Sequence, residues 1–397
     1  MRIRYFADIR FPLERANGVQ TMETCHALAR RGHDVRLVVR RDTAVPPRDP
    51  FAYYGLPPRP LLVVERLAAP AQPLLRRGAY VAKCLRRAVS SPRPDVILTR
   101  DLAIAHLLVR TPRAWRCPVV YESHGFAPSV REELPAMLSD AVAPSVAKRR
   151  RLEGRERAVW RRADGYVTIT AALARELEER FGARPRLAVV PDGTRVREVD
   201  DVGLRPEAGA DQAIVGYAGH LYPWKGVDVL VAALGRLPGV RAVIVGGLAG
   251  EPDLARVRAL AERAAPGRIA FEGQVDPPRV RGLLRNADIL VVPNTPGRAS
   301  EAYTSPLKLF EYMEAGRPIV ASDLPAIREV LRPDGNAILV EAGSAEALAA
   351  GIARLLADRE LAARVASQAR TDVLEWTWDR RAARLEALLD EASGRRA

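Results

Sequence analysis

The chain has 397 residues, 48% hydrophobic and 28% charged, with a formal net charge of +14. That length suits two domains, each able to bury a core, and the composition is that of an ordinary globular protein rather than a disordered or fibrous one. The basic excess is almost all arginine, with Lys83, Lys148, Lys225 and Lys308 as the only lysines; it reads as genome base composition, and no nucleic-acid partner is expected.

The chain opens with Met1-Arg2-Ile3-Arg4-Tyr5-Phe6, charged again by Asp8 and Arg10, which reads as a first strand and not as a signal peptide. No run approaches the ~18 apolar residues that cross a bilayer. A helix is expected from about Val19 to Arg30, with Gly32 as a stop signal and Asp34 before the next strand. Cys25 lies on its apolar face and reads as core. With Cys84 and Cys117 it forms an odd, scattered set that suggests neither disulfides nor a metal site, and a cytoplasmic location follows.

Further strands are expected at Ile3–Phe6, Val35–Val39, Val96–Thr99, Val119–Tyr121, Tyr166–Thr170 and Leu187–Val190, with the proline-rich Ala44–Arg59 as a loop or an ordered excursion. The densest basic run, Lys148 to Arg151 continuing to Arg155, Arg157, Trp160, Arg161 and Arg162, has two readings. It is either a solvated helix face or a surface for anionic membrane with Trp160 at the interface.

Thr194 to Asp211 is polar and broken by Gly203, Pro206 and Gly209, which makes it the expected linker. The strand–helix rhythm then resumes at Ala213–Tyr217, Ala242–Val245, Ile269–Glu272, Ile289–Val292, Ile319–Ala321 and Ile338–Val340. A helix or helix pair should begin at a Ser344 cap and run to Ala369, and a last helix should follow Trp378 through Leu389. The expected division is residues 1–195, a linker at 196–212, a second domain at 213–372 and a C-terminal segment at 373–397. Alternating strands and helices predict an α/β architecture with parallel sheets, and ligands at the carboxyl ends of the strands.

Two corners carry the chemistry. In Gly216-Tyr217-Ala218-Gly219-His220-Leu221-Tyr222-Pro223-Trp224-Lys225-Gly226, a buried strand runs into a glycine turn, then a lysine at the mouth of the next helix. Backbone N–H groups, a helix N-terminus and an ammonium together make a seat for a diphosphate. The second corner is Ser305-Pro306-Leu307-Lys308-Leu309-Phe310-Glu311, with Pro306 at the favoured first position of a helix. In the first half, Val119-Val120-Tyr121-Glu122-Ser123-His124-Gly125 places His124 just beyond an apolar strand. Asn17-Gly18-Val19 lies between the first strand and first helix. His33, in the turn Arg31-Gly32-His33-Asp34, reads as structural.

These motifs resemble a retaining, nucleotide-sugar-dependent glycosyltransferase of family 4. The resemblance spans nearly the whole chain and is strongest from Gly216 to Val340. It implies the GT-B fold: two facing, doubly wound Rossmann-like domains with a C-terminal helix crossing back to the first. It implies transfer of a sugar from a nucleotide-diphosphate sugar to an acceptor hydroxyl with retention, by front-face attack in which the departing phosphate helps to deprotonate the acceptor. Lys225 would stabilise the departing diphosphate, and His124 would lie near the reacting sugar. Gly18, Gly219, His220, Tyr303, Ser305, Pro306, Leu307 and Lys308 would line the diphosphate and sugar, and Glu311 would accept from the ribose hydroxyls.

The chain departs from the family where His220 replaces an arginine and Tyr303 stands where a first glutamate is usual, with Glu301 out of register. Sugar recognition should differ accordingly. The glycine loop also has one glycine where the family often has two. No metal and no cofactor beyond the sugar nucleotide are expected, since lysine and helix termini neutralise the diphosphate. A carbohydrate or glycolipid acceptor, a role in cell-surface polysaccharide or glycolipid synthesis and peripheral contact with the inner membrane face follow by analogy. Two other readings stand beside this one: a GT-B-shaped sugar-nucleotide epimerase, and a non-catalytic nucleotide-sugar-binding subunit.

Overall fold

The computed structural model describes every residue except 69, 71, 138–141, 198–212, 248–249, 276, 306 and 395–397. Much of the expected linker therefore lies outside the described residues. The chain divides into two compact units. Unit 1 comprises Met1–Pro128, Ser145–Asp192 and Trp378–Ala397; unit 2 comprises Ser129–Pro144 and Gly193–Thr377.

Unit 1 holds a seven-stranded sheet: β1 (Arg2–Arg10), β2 (Asp34–Arg40), β3 (Leu62–Leu67), β4 (Val96–Thr99), β5 (Val119–Ser123), β6 (Gly165–Thr168) and β7 (Leu187–Val189). The order is β3-β2-β1-β4-β5-β6-β7, and every pairing is parallel. Residues of β4, β5 and β6 are buried throughout, as strands covered by helices on both faces must be. The last helix, Trp378–Ser393, packs on the Ala16–Arg30 helix and on β6 and β7, burying Arg381, Ala382, Leu385, Leu388 and Leu389.

Unit 2 holds β8 (Ile214–Ala218), β9 (Arg241–Val245), β10 (Ile269–Gly273), β11 (Ile289–Val292), β12 (Ile319–Ser322) and β13 (Ile338–Val340). They form a parallel sheet in the order β10-β9-β8-β11-β12-β13. Alternate residues of β8 feed two cores. Val215 and Tyr217 face one with Ile244 and Leu230, and Ala218 faces the other with Leu290, Val292 and Phe310. The strand order reverses between β8 and β11, where an open parallel sheet leaves a crevice.

The expected strands all form, and the chain has the expected pair of parallel-sheet, Rossmann-like domains. β3 is an addition. Its Leu-Val-Val-Glu-Arg-Leu sequence opens with apolar, largely β-branched residues and sits at a half-exposed sheet edge, paired with β2. Within the proline-rich Ala44–Arg59 stretch Asp49 accepts from Ala52 N (2.7 Å) and starts a short helix, Pro50–Tyr54, which is the ordered excursion of its two readings. The Ser344 hydroxyl accepts from Ala347 N (3.1 Å) and starts the helix Ala345–Ala357. A second helix follows at Arg359–Asp372.

The basic run forms the helix Val146–Arg162, exposed at Arg149, Arg150 and Arg151. Trp160 corrects its membrane-interface reading. The indole is buried, donates from Nε1 to Gly182 O (3.0 Å) and packs edge-on against Tyr166. Among the described residues no helix is long and apolar enough to cross a membrane, and no cluster of His, Cys, Asp or Glu could hold a metal. Cys25, Cys84 and Cys117 are free and buried. His33 is structural, with its ring nitrogens 3.2 Å from the N-terminal amine and 2.9 Å from Glu386 Oε1.

Candidate active site

In unit 2 the site is built at the reversal between β8 and β11. The last residue of β8, Ala218, donates its N–H to Tyr312 Oη (2.7 Å), which fastens the strand end to the helix Leu307–Ala315. Gly219 N then donates to Val245 O (2.8 Å), and Tyr217 Oη donates to His220 O (2.7 Å). The His220 ring stacks on Tyr222 with centroids 4.9 Å apart and planes 11° from parallel.

A single helical turn, Pro223–Lys225, leads to Gly226, which has φ of 70° and begins the helix Val227–Gly235. A Cβ at Gly226 would stand 1.7 Å from Pro293 O, so both the conformation and the space demand glycine. Thr295 N donates to Trp224 O (3.1 Å), tying the segment after β11 to the one after β8.

The two lysines of this corner rest on aromatic rings rather than on carboxylates. Lys225 Nζ lies 3.6 Å from the Trp224 ring centroid, and Lys308 Nζ lies 4.3 Å from that of Tyr217. Lys308 is buried, and its side-chain nitrogen has no hydrogen-bond partner among the described residues. Burial lowers the Lys225 pKa to about 7, and burial together with the Lys225 charge pushes Lys308 well below its ordinary value. The indole N–H of Trp224 and both amide atoms of Asn294, just past β11, are also buried without partners. Buried polar groups are ordinarily satisfied. A corner with two lysines pushed toward their neutral form and an idle N–H suits an anion, which would restore their charge and supply acceptor oxygens.

Of the sequence-predicted residues, Gly219, His220 and Lys308 meet at Tyr217, and the Lys225 charge acts on Lys308. Ser305 and Leu307 flank the start of the Lys308 helix and are partly buried; Pro306 lies outside the described residues. Tyr303 is buried, at 6% exposure. Glu311 is partly buried in the middle of its helix and does not open it. The neighbouring buried carboxylate, Glu314, is taken by Arg285 Nη2 (2.8 Å). Glu301 accepts from Gly297 N (3.4 Å).

In unit 1, His124 stands one residue past β5, half-buried, with Nε2 2.6 Å from Glu122 Oε1. Burial and the Arg100 charge lower its pKa to about 4, so the ring is neutral at physiological pH. Gly18 corrects its loop reading. It lies in the first turn of the Ala16–Arg30 helix, where a Cβ would stand 2.3 Å from Leu13 O and 2.4 Å from Tyr54 Oη. The packing of Leu13 and Tyr54 is sufficient reason for this glycine.

Sequence reasoning missed Tyr217, Trp224, Asn294 and Tyr312 in unit 2, and Glu122, Gln20 and Arg381 in unit 1. Two had a visible signal: Glu122 is a charge inside the apolar run Val119–Ser123, and Arg381 sits on the apolar stripe of the last helix.

Residues 17–193 match the family model described as a glycosyl transferase 4-like domain, and residues 212–358 match glycosyl transferases group 1. A D-inositol 3-phosphate glycosyltransferase of Acidothermus cellulolyticus is 30% identical over 392 residues, covering 91% of this chain and 82% of that enzyme. The enzyme of the same name from Nocardia farcinica is 32% identical over 295 residues, 70% of this chain and 62% of its own length. Among solved structures, the Anabaena protein HepE in complex with UDP-glucose superposes with a TM-score of 0.70 at 20% identity, covering 98% of this chain and 99% of that one.

Proposed function

This chain belongs to the glycosyltransferases of group 1 with a family 4-like N-terminal domain, and on that premise we propose that it moves a sugar from a nucleotide-diphosphate sugar to an acceptor hydroxyl with retention at the anomeric carbon. The observation that carries the reading is the pair Lys225 and Lys308, seated on aromatic rings at the strand reversal with no carboxylate among the described residues to neutralise them. A diphosphate supplies the missing charge and acceptors.

In this reaction the acceptor hydroxyl attacks the anomeric carbon on the face from which the leaving group departs. The bond to the diphosphate oxygen breaks, and the departing phosphate oxygen takes the hydroxyl proton. Lys225 and Lys308 stabilise the growing negative charge, and preorganised cations in a dry site do this with little reorganisation. Their two charges take the place a divalent metal would otherwise hold. Gly219, His220, Ser305 and Leu307 surround the diphosphate, Tyr303 faces the sugar, and Glu311 accepts from the ribose. His124 serves the reacting sugar or acceptor. Arg149, Arg150 and Arg151 fit peripheral contact with an anionic membrane at its cytoplasmic face, where a glycolipid acceptor would lie. The UDP-glucose bound by HepE supports a nucleotide-sugar donor. Family membership favours a transferase over an epimerase or a silent binding subunit.

The test is a thermal-shift panel of UDP, GDP, ADP and TDP and their common sugar conjugates, run without divalent metal. One nucleotide series should raise the melting temperature of the wild type and leave Lys225→Ala unmoved. No shift with any of them overturns the donor reading.

A further inference from the structure

Unit 1 contains a buried polar knot that the proposed reaction does not by itself require. Glu122 is wholly buried on β5, and its Oε1 accepts three hydrogen bonds: from Gln20 Nε2 (2.5 Å), His124 Nε2 (2.6 Å) and Arg381 Nη2 (2.7 Å). Arg381 comes from the last helix and is 2% exposed. Its remaining donors reach Thr24 Oγ1 (3.0 Å), Val190 O (2.6 Å) and Pro191 O (2.8 Å). One guanidinium thus joins the first helix, the end of β7, β5 and the last helix. A lysine has no planar fork with which to do the same.

An ionised carboxylate only accepts, so a neutral His124 facing it must carry its proton on Nε2. Nδ1 is then a bare acceptor on a side chain 23% exposed. The arrangement depends on Glu122 staying ionised in a buried site, where desolvation favours the acid, and the Arg381 charge is foremost among the influences that oppose it. A protonated Glu122 would instead donate to Nε2, and His124 would turn to the Nδ1–H tautomer. Its free nitrogen would become a donor.

We propose that Arg381 is a positioning residue: by fixing Glu122 as an ionised acceptor it sets His124 in the Nε2–H tautomer and reserves Nδ1 to accept a hydrogen bond from a substrate hydroxyl. The substrate part of this statement rests on the proposed sugar transfer, and the tautomer part does not. The charged and titratable groups around the ring are Arg100 after β4, Glu122 on β5, Arg381 on the last helix and Asp192 after β7. Tyr5 and Cys25 lie behind Glu122.

The tautomer is read directly in the full chain labelled with 15N-histidine, whose five histidines give resolvable long-range 1H–15N patterns. His124 is assigned by the loss of its pattern in His124→Gln. Wild type should show Nε2–H at His124, titrating with a midpoint near the about 4 set by its surroundings. Arg381→Gln should move His124 toward Nδ1–H or a mixture and lower its midpoint, because a neutralised Glu122 no longer favours the imidazolium and that influence outweighs the Arg381 charge that is lost. Arg381→Lys, which keeps the charge without the fork, should fall between. Glu122→Gln should abolish the tautomer preference and serves if the arginine variants fail to fold.

An Nδ1–H pattern in wild type, or an unchanged His124 in folded Arg381→Gln, overturns the proposal. With a working donor and acceptor, Arg381→Lys should lower kcat/KM by about tenfold or more, while the nucleotide thermal shift stays as in wild type. An unchanged kcat/KM overturns the substrate part. A wild type that binds no nucleotide would sink the donor reading and leave the histidine spectra to decide this one.

Discussion

The Lys308 side-chain nitrogen stands 4.3 Å from the centroid of the Tyr217 ring and has no hydrogen-bond partner among the described residues. Tyr217 in turn donates to the carbonyl of His220, so one aromatic side chain supports a cation on its face and a loop at its hydroxyl. The ring quadrupole compensates the cation only partly, and an unpaired buried charge is costly.

Removing that charge should therefore help the empty protein and harm the loaded one. Lys308→Met should stabilise the ligand-free chain at neutral pH by about 1–3 kcal/mol, and it should erase the thermal shift given by the nucleotide donor. The native lysine has a lowered pKa, so the unfolded chain binds more protons and wild-type stability rises with pH. The stabilisation by Lys308→Met should accordingly shrink as pH climbs toward about 10. Denaturant melts of both proteins at two pH values check it; equal stability throughout would contradict a buried charged lysine.

Donor affinity should fall as pH rises above neutrality. Lys225 titrates at about 7 in the empty site, and a bound diphosphate favours its charged form, so binding takes up a proton. Isothermal titration with a sugar nucleotide, whose diphosphate diester keeps its charge over this range, should show the affinity dropping above pH 7 by up to about tenfold per unit. Lys225→Arg, charged throughout, should flatten the profile.

Gly226→Ala should be severe. The residue has φ of 70° and its added carbon would meet Pro293 O at 1.7 Å, so a loss of roughly 2–4 kcal/mol is expected from strain and forced backbone movement. Because the same turn presents Lys225, nucleotide binding should be lost in whatever fraction stays folded. Circular dichroism melts and the nucleotide panel give the two readouts.

Tyr312→Phe should leave the Ala218 N–H without its 2.7 Å partner. An orphaned buried donor costs about 1–3 kcal/mol, and the loop after β8 should lose its anchor on the lysine-bearing helix. A raised KM for the donor with a smaller change in kcat is the expected kinetic pattern.

Glu156 gives a pH-dependent stability of opposite sign to the lysine. Its buried carboxyl accepts from Tyr166 Oη at 2.7 Å, and burial raises its pKa to about 7. A raised carboxyl pKa means the native state holds the proton longer; its contribution is full below the ordinary value and fades as pH passes 7. Glu156→Gln should stabilise the chain at about pH 8 by roughly 2–3 kcal/mol and do much less at about pH 4. Thermal melts across that range decide it.

The sequence by itself determined the two sheets, because apolar runs such as Val119–Ser123 and Ile289–Val292 are buried on both faces and need no partner to declare themselves. The glycine turn and Lys225 before the next helix were also legible, since both act locally. The edge strand Leu62–Leu67 was not read as one: its short Leu-Val-Val run breaks into Glu65 and Arg66, and pairing with β2 carries the strand through them. Nor was the crowded surrounding of Gly18 legible; it depends on Tyr54 packing from 36 positions away. Only the tertiary structure seated Lys308 on Tyr217, and only it carried Arg381 from the last helix, across 259 positions of sequence, to Glu122. Contacts of that kind are fixed by how elements pack, and no periodicity along the chain records them.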